Sequence, residues 1–196
     1  MKLGLALGIG LVLAGCDDKP DGKAGAPPSR TDGAKVAGHQ VASTDAFCDQ
    51  HTTDETGPVF AWPELAAGSA APPAARGWRW VNVWATWCKP CVEEMPRLQK
   101  WRDQLAAHGT QVDLAFLSID ESDAEVAAFR AAHPDAPASL RIATKDKGTA
   151  WLKGLGLDSA AIPIHVFVGP TGHVRCARAG SVREQDRDVV TKLFAE

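Results

Sequence analysis

The chain has 196 residues, enough for one domain of ordinary size and a tail. Apolar residues make up 45% and charged residues 23%, the balance of a soluble globular domain. A net charge of −3, with Lys and Arg dispersed and no basic run, argues against a nucleic-acid partner.

Met1-Lys2 is a short positive segment, and Leu3 to Leu13 is an apolar run. That run is shorter than the ~20 residues a spanning helix needs, so it reads as an export signal covering residues 1–15. Leu13-Ala14-Gly15-Cys16 resembles a bacterial lipobox, which makes Cys16 the expected lipidation site. Acyl chains held at ~0.8 kcal/mol per CH₂ would anchor the chain to a membrane. Asp17 and Asp18 follow, a pattern resembling inner-membrane retention in enteric bacteria. Residues 16–43 are rich in Asp, Lys, Gly, Ala, Pro and Ser, with no apolar period, and read as a tether. The expected location is the cell envelope. The tether would hang the domain, residues 44–196, in the periplasm from the outer face of the inner membrane.

Within that domain, Cys48 to Pro58 reads as loop, and Phe60 to Leu65 as a short edge strand or turn, because Pro63 forbids a central strand. Gly68 to Gly77 is a further loop. Trp78 to Trp84 reads as a strand. A helical pattern then runs to about His108, with Met95, Leu98, Trp101 and Leu105 at spacings of three and four. Pro96 is expected to kink it, and Gly109 to end it. Gln111 to Ile119 is a second strand. Glu121 to Ala132 is a helix with Ser122 as a candidate N-cap. Ala138 to Ala143 is a short strand and Lys147 to Leu155 a short helix. Ile164 to Val168 and His173 to Ala179 form a hairpin about residues 169–172, and Val182 to Phe194 is a closing helix. Strand–helix–strand order implies a parallel β-α-β unit, and the hairpin adds antiparallel strands. The result is a mixed α/β sheet with helices on both faces. The seven Trp, against no Tyr, read mostly as core packing.

Five cysteines remain to be assigned: 16, 48, 88, 91 and 176. The lipobox removes Cys16. Cys88 and Cys91 form a CxxC. Cys48 and Cys176 are expected to form a structural disulfide closing about 130 residues, worth ~4–5 kcal/mol in the chain-entropy model. The alternatives are two free thiols, or one of them acting as redox partner of the CxxC.

A CxxC that follows a buried strand and opens a helix has a physical use. The helix N-terminus presents unpaired N–H groups and partial positive charge, which favour the thiolate of Cys88. Lys89 adds positive charge, and Pro90 gives up an N–H that would have no partner. Cys91, one turn on, faces the same side and can attack a mixed disulfide on Cys88.

Trp84-Ala-Thr-Trp87-Cys88-Lys89-Pro90-Cys91 resembles the active-site motif of the thioredoxin superfamily. With the lipobox, Val81-Asn82 and Glu94-Met95-Pro96, the resemblance narrows to membrane-anchored TlpA/ResA-like thiol–disulfide oxidoreductases, over roughly residues 57–195. It implies a thioredoxin-like fold and catalysis by Cys88 and Cys91. It implies no cofactor beyond their own disulfide. Ile162-Pro163 resembles the family's cis-proline loop, which would set the Ile162 backbone to pair with a client strand beside Trp87, Lys89 and Pro90. Relatives of this kind reduce apocytochrome c or copper-assembly proteins and draw electrons from a membrane thiol transporter. Lys-Pro between the cysteines lacks the His that helps make strong oxidants, which favours a reductant.

Two positions depart from the pattern. Typical thioredoxins carry a buried Asp where this chain has Asn82, which cannot relay protons by ionising. Glu94, three residues after Cys91 on the same helical face, is the expected substitute. His165 stands where many relatives have Thr. It opens a rival reading, a Cu(I) metallochaperone using Cys88, Cys91 and His165, although copper-delivery relatives usually space their cysteines by three residues. Zinc needs four ligands, and no second pair exists among the scattered histidines. A third reading is an inert lipoprotein in which the CxxC is only a structural staple.

Overall fold

The computed structural model describes residues 43–53, 55–158 and 161–196. The expected leader, the Cys16 lipidation site and most of the tether lie outside the described residues.

The central strand is β2, Trp78–Trp84. All seven residues are buried, as expected for a strand covered on both faces. After it, α2 runs Lys89–Ala107, β3 Val112–Ser118, α3 Asp123–Ala132, β4 Ser139–Arg141 and α4 Lys145–Gly154. The chain closes with β5 Ile164–Val168, β6 Val174–Ala179 and α5 Arg187–Leu193. Before the central strand lie α1, Thr44–Phe47, and β1, Gln50–His51. The sheet order is β1-β6-β5-β2-β3-β4. Strand β2 runs parallel to β3 and antiparallel to β5, so the sheet is mixed.

The pleat of β2 divides the core. Trp78, Trp80 and Trp84 point to a layer filled by Leu98 and Trp101 of α2, Val126 of α3 and Val189, Val190 and Leu193 of α5. Val81 and Val83 point the other way, to Leu152 of α4, Ile142, Ile164 and Val166. Four of the seven Trp are in the core. Trp62 and Trp151 are half-buried and Trp87 is exposed.

Several boundaries differ from the sequence reading. The segment from Cys48 to Pro58 is not all loop, since β1 pairs with β6 through Gln50–Ala177 and His51–Cys176. A two-residue strand leaves no period to read. Phe60 to Leu65 forms no strand; single bridges, Val59–His173 and Leu65–Ile142, hold its ends. Helix α4 begins at Lys145, because the Thr144 side chain accepts from the Lys147 N–H. The helix expected from Val182 begins instead with a 3-10 turn, Glu184–Asp186. Val182 is buried, but its N–H is bonded away from the helix. Pro96 leaves the Val92 carbonyl without its intrahelical donor, yet α2 runs through it unbroken. Among the described residues no helix is long and apolar enough to cross a membrane.

Candidate active site

The loop between β2 and α2 is held from below. Asp120, just past β3, is buried and accepts from the Thr86 N–H at 3.1 Å and the Thr86 hydroxyl at 2.8 Å. The Ser118 hydroxyl donates to the same carboxylate at 2.6 Å. The Cys88 N–H closes the turn on the Ala85 carbonyl at 3.0 Å. This clamp was missed in the sequence, where Ser118-Ile-Asp120 looks like an ordinary strand end. A polar pair closing an apolar strand was the available signal.

Cys88 is the N-cap of α2, and the Cys91 N–H donates to its sulfur at 3.3 Å. The cap position of a helix normally takes an oxygen acceptor; here sulfur fills it, where a thiolate gains most from the N-terminal field. The two cysteines are joined in a disulfide. Cys91 has no exposed surface, while Cys88 keeps 5%. An incoming sulfur therefore reaches Cys88 and not Cys91. Lys89 and Pro90 are exposed, and Lys89 sits 3.6 Å from Glu93, so part of its charge is shared with a neighbour four residues on.

The Ile162–Pro163 peptide is cis. The Ile162 carbonyl oxygen lies 3.9 Å from Cys88 Sγ, and the Pro163 carbonyl accepts from the Gly180 N–H at 2.8 Å. A groove of about 660 Å³ opens beside this loop. Val83, Ile119, Ile142 and Leu152 line it, with Trp87 and Ile162 at the end nearest Cys88. Trp87 is 67% exposed, a large apolar ring left in solvent at the edge of the disulfide.

Glu94 is wholly buried. Its Oε1 accepts from Asn82 Nδ2 at 2.9 Å, and its Oε2 accepts from the Val182 N–H at 2.9 Å. His165 Nε2 lies 3.2 Å from Oε1, within ion-pair reach but off the line of a hydrogen bond. Asn82 and His165 face each other across β2 and β5, so the sheet register brings this trio together inside the apolar layer that holds Cys91.

Not every candidate joins the site. Cys48 and Cys176 are bonded to each other, tying the end of α1 to β6, which leaves neither as redox partner of the CxxC. The rival copper set is not assembled. His165 Nδ1 accepts the Trp80 indole N–H at 3.1 Å and Nε2 faces Glu94, so both ring nitrogens are turned to other groups. Among the described residues no cluster of His, Cys, Asp and Glu has the makings of a metal site.

A family model described as thioredoxin-like matches residues 79–174. The thioredoxin-like protein YneN of Bacillus subtilis (strain 168) is 43% identical over 49 residues, 25% of this chain and 29% of that protein. The thiol-disulfide oxidoreductase ResA of Bacillus anthracis is 39% identical over 49 residues, 25% of this chain and 27% of that protein. The matched stretch thus spans under a third of either relative's length. Among solved structures, a thioredoxin-related protein from Neisseria meningitidis serogroup B superposes with a TM-score of 0.53 at 25% identity, over 68% of this chain and 97% of that one.

Proposed function

We propose that the chain, whose residues 79–174 match the thioredoxin-like family model, is a thiol–disulfide oxidoreductase working as a reductant of exported proteins. One observation carries the reading: Cys88 caps α2 and is the half of the disulfide that keeps a sliver of surface, while Cys91 has none.

In the working direction the reduced Cys88 thiolate attacks a client disulfide. One new S–S bond forms to the client, and one client sulfur leaves as thiolate. Cys91 then loses its proton and attacks Cys88 Sγ. The second client sulfur leaves, the Cys88–Cys91 bond forms, and two electrons have passed to the client. Glu94, one turn along α2 from Cys91, is the proton acceptor for that second attack, the role Asn82 lacks the chemistry to fill. Ile162 offers main-chain groups to an extended client segment beside Cys88. Trp87 and the groove take the client's apolar side chains.

The described bond is the spent form, so the cycle needs an electron donor of the thiol class. A membrane thiol transporter fits a domain tethered through a lipidated Cys16 at the outer face of the inner membrane, with apocytochrome c or copper-assembly proteins as clients. The lipobox and the tether composition support that placement. The test of the function is the reduction potential of the Cys88–Cys91 couple, measured against glutathione. A reductant falls near the thioredoxin value of about −270 mV, and a value near about −120 mV overturns the direction. Replacing Cys91 with Ser should trap clients on Cys88, and a trap that captures no mixed disulfide sinks the mechanism.

A further inference from the structure

His165 is a fully buried histidine for which the cycle above has no use. An indole N–H only donates, so Nδ1, 3.1 Å from Trp80 Nε1, must present its lone pair. The ring proton then sits on Nε2, and Nε2 is the atom 3.2 Å from Glu94 Oε1. A second proton on the ring would set an N–H against the Trp80 N–H in a dry core. The Trp80 contact thus assigns the ring proton to Nε2, beside one carboxylate oxygen of Glu94 though off its hydrogen-bond line.

The surroundings of Glu94 come from three other elements. Strand β2 supplies the Asn82 amide, β5 supplies His165, and the segment after β6 supplies the Val182 N–H. Arg97, on α2 itself, reaches the Val182 carbonyl instead. His165 is thus the titratable side chain that meets the carboxylate.

We propose that His165 is a positioning residue for Glu94: Trp80 fixes its tautomer, and its Nε2–H steers Glu94 Oε1 and sets how readily that carboxylate takes the proton of Cys91. The proposal rests on the reading of Glu94 as proton acceptor. The contact is off-line in the disulfide state, where no proton has to move; it straightens when Cys91 is a thiol and the carboxylate must act. Without the donor, Glu94 holds a proton more readily and is less often free to accept one. Without the Trp80 N–H, Nδ1 is free to take a second proton, and the charged ring beside Glu94 has the opposite effect.

The test follows resolution directly in the full chain. A mixed disulfide between Cys88 and a short peptide thiol, formed and held at acid pH, is jumped to a series of higher pH values, and peptide release is timed. His165→Leu should move the midpoint of the rate profile up by about one unit, an about tenfold slower release on the acid limb. His165→Gln, which keeps a donor near the Nε2 position, should restore the wild-type midpoint. Trp80→Phe should move the midpoint down. A histidine of purely structural importance changes stability or overall rate but leaves the midpoint in place, and that result overturns the proposal. Glu94→Gln separates the two layers. If it leaves the profile unchanged, the acceptor reading itself falls. If it removes the acid limb while both His165 variants match wild type, only the His165 assignment falls. Should Trp80→Phe fail to fold, nitrogen-15 shifts of the His165 ring decide: Nε2 protonated and Nδ1 bare supports the proposal, and a proton on Nδ1 ends it.

Discussion

Asn82 holds its amide N–H on Glu94 and leaves its own Oδ1 buried with no hydrogen-bond partner. That arrangement explains the departure from typical thioredoxins better than loss of function does. An Asp at this position would set a second carboxylate against Glu94 and remove a donor. In Asn82→Asp the like charges raise the proton affinity of the pair above its unfolded value. A group whose folded pKa is raised binds more protons folded than unfolded, so its stability penalty grows with rising pH. Urea melts of Asn82→Asp should therefore lie near wild type at about pH 4 and fall about 1–3 kcal/mol below it at pH 7; a loss that does not vary with pH contradicts the account. Asp120 gives a second prediction at this scale. Asp120→Ala releases the three hydroxyl and amide donors held by one buried carboxylate, and should cost about 1–3 kcal/mol of stability. Turnover of a peptide disulfide should drop by more than the unfolded fraction explains, since Thr86 and the Cys88 turn lose their support.

Individual elements separate what the sequence makes legible from what it hides. Strands β2 and β5 and helix α2 were readable because each satisfies its own rule within a short window: a continuous apolar run, or a 3.6-residue stripe. The CxxC was readable for the same reason, since strand, loop and helix start are contiguous. Glu94 was found only as one acid on a helical face; its partners lie 12, 71 and 88 residues away and meet only through register and topology. The closing helix was misplaced because Val182 fits the apolar spacing, while its N–H goes to a carboxylate from another element. Helix α3 shows local rules at full strength, with the Ser122 hydroxyl and the Glu125 side chain capping each other's backbone. Ser122→Ala should lower stability by about 1 kcal/mol in chemical denaturation without touching redox turnover. At the same end Arg141 of β4 bonds Asp123 at 2.6 Å and holds its carboxyl below the ordinary range. A depressed carboxyl stabilises at higher pH and loses that contribution as pH falls through its folded value. Asp123→Asn should thus differ from wild type near neutrality and match it in strong acid. The groove asks for its own test: Trp87→Ala should raise KM for apolar client peptides several-fold while leaving reduction of glutathione disulfide, which has no apolar side chain to fill the groove, near wild type.

Across the whole molecule the two disulfides divide the labour. Cys88–Cys91 spans three residues and is the pair that turns over in the proposed cycle; Cys48–Cys176 spans 128 and ties α1 to β6. Replacing both Cys48 and Cys176 with Ser should lower stability by ~4–5 kcal/mol in the loop-entropy model, read as a fall in the denaturation midpoint, with the potential of the Cys88–Cys91 couple unmoved. The same region is gathered without covalency by His51, whose ring lies 2.6 Å from Asp45 and 3.1 Å from Glu196. The long-range bond also decides where mechanical load travels. A pull applied between residue 43 and Glu196 enters at Cys48, crosses the sulfurs to Cys176 and leaves through the last segment. Residues 49–175, which hold the CxxC and the cis-proline loop, lie off that path. Stretched in a force trap, the oxidised chain should extend only at its ends, and residues 49–175 should stay unextended until a reductant cuts the bypass, although yielding of the last segment takes the Val182 N–H from Glu94 and the Gly180 N–H from Pro163.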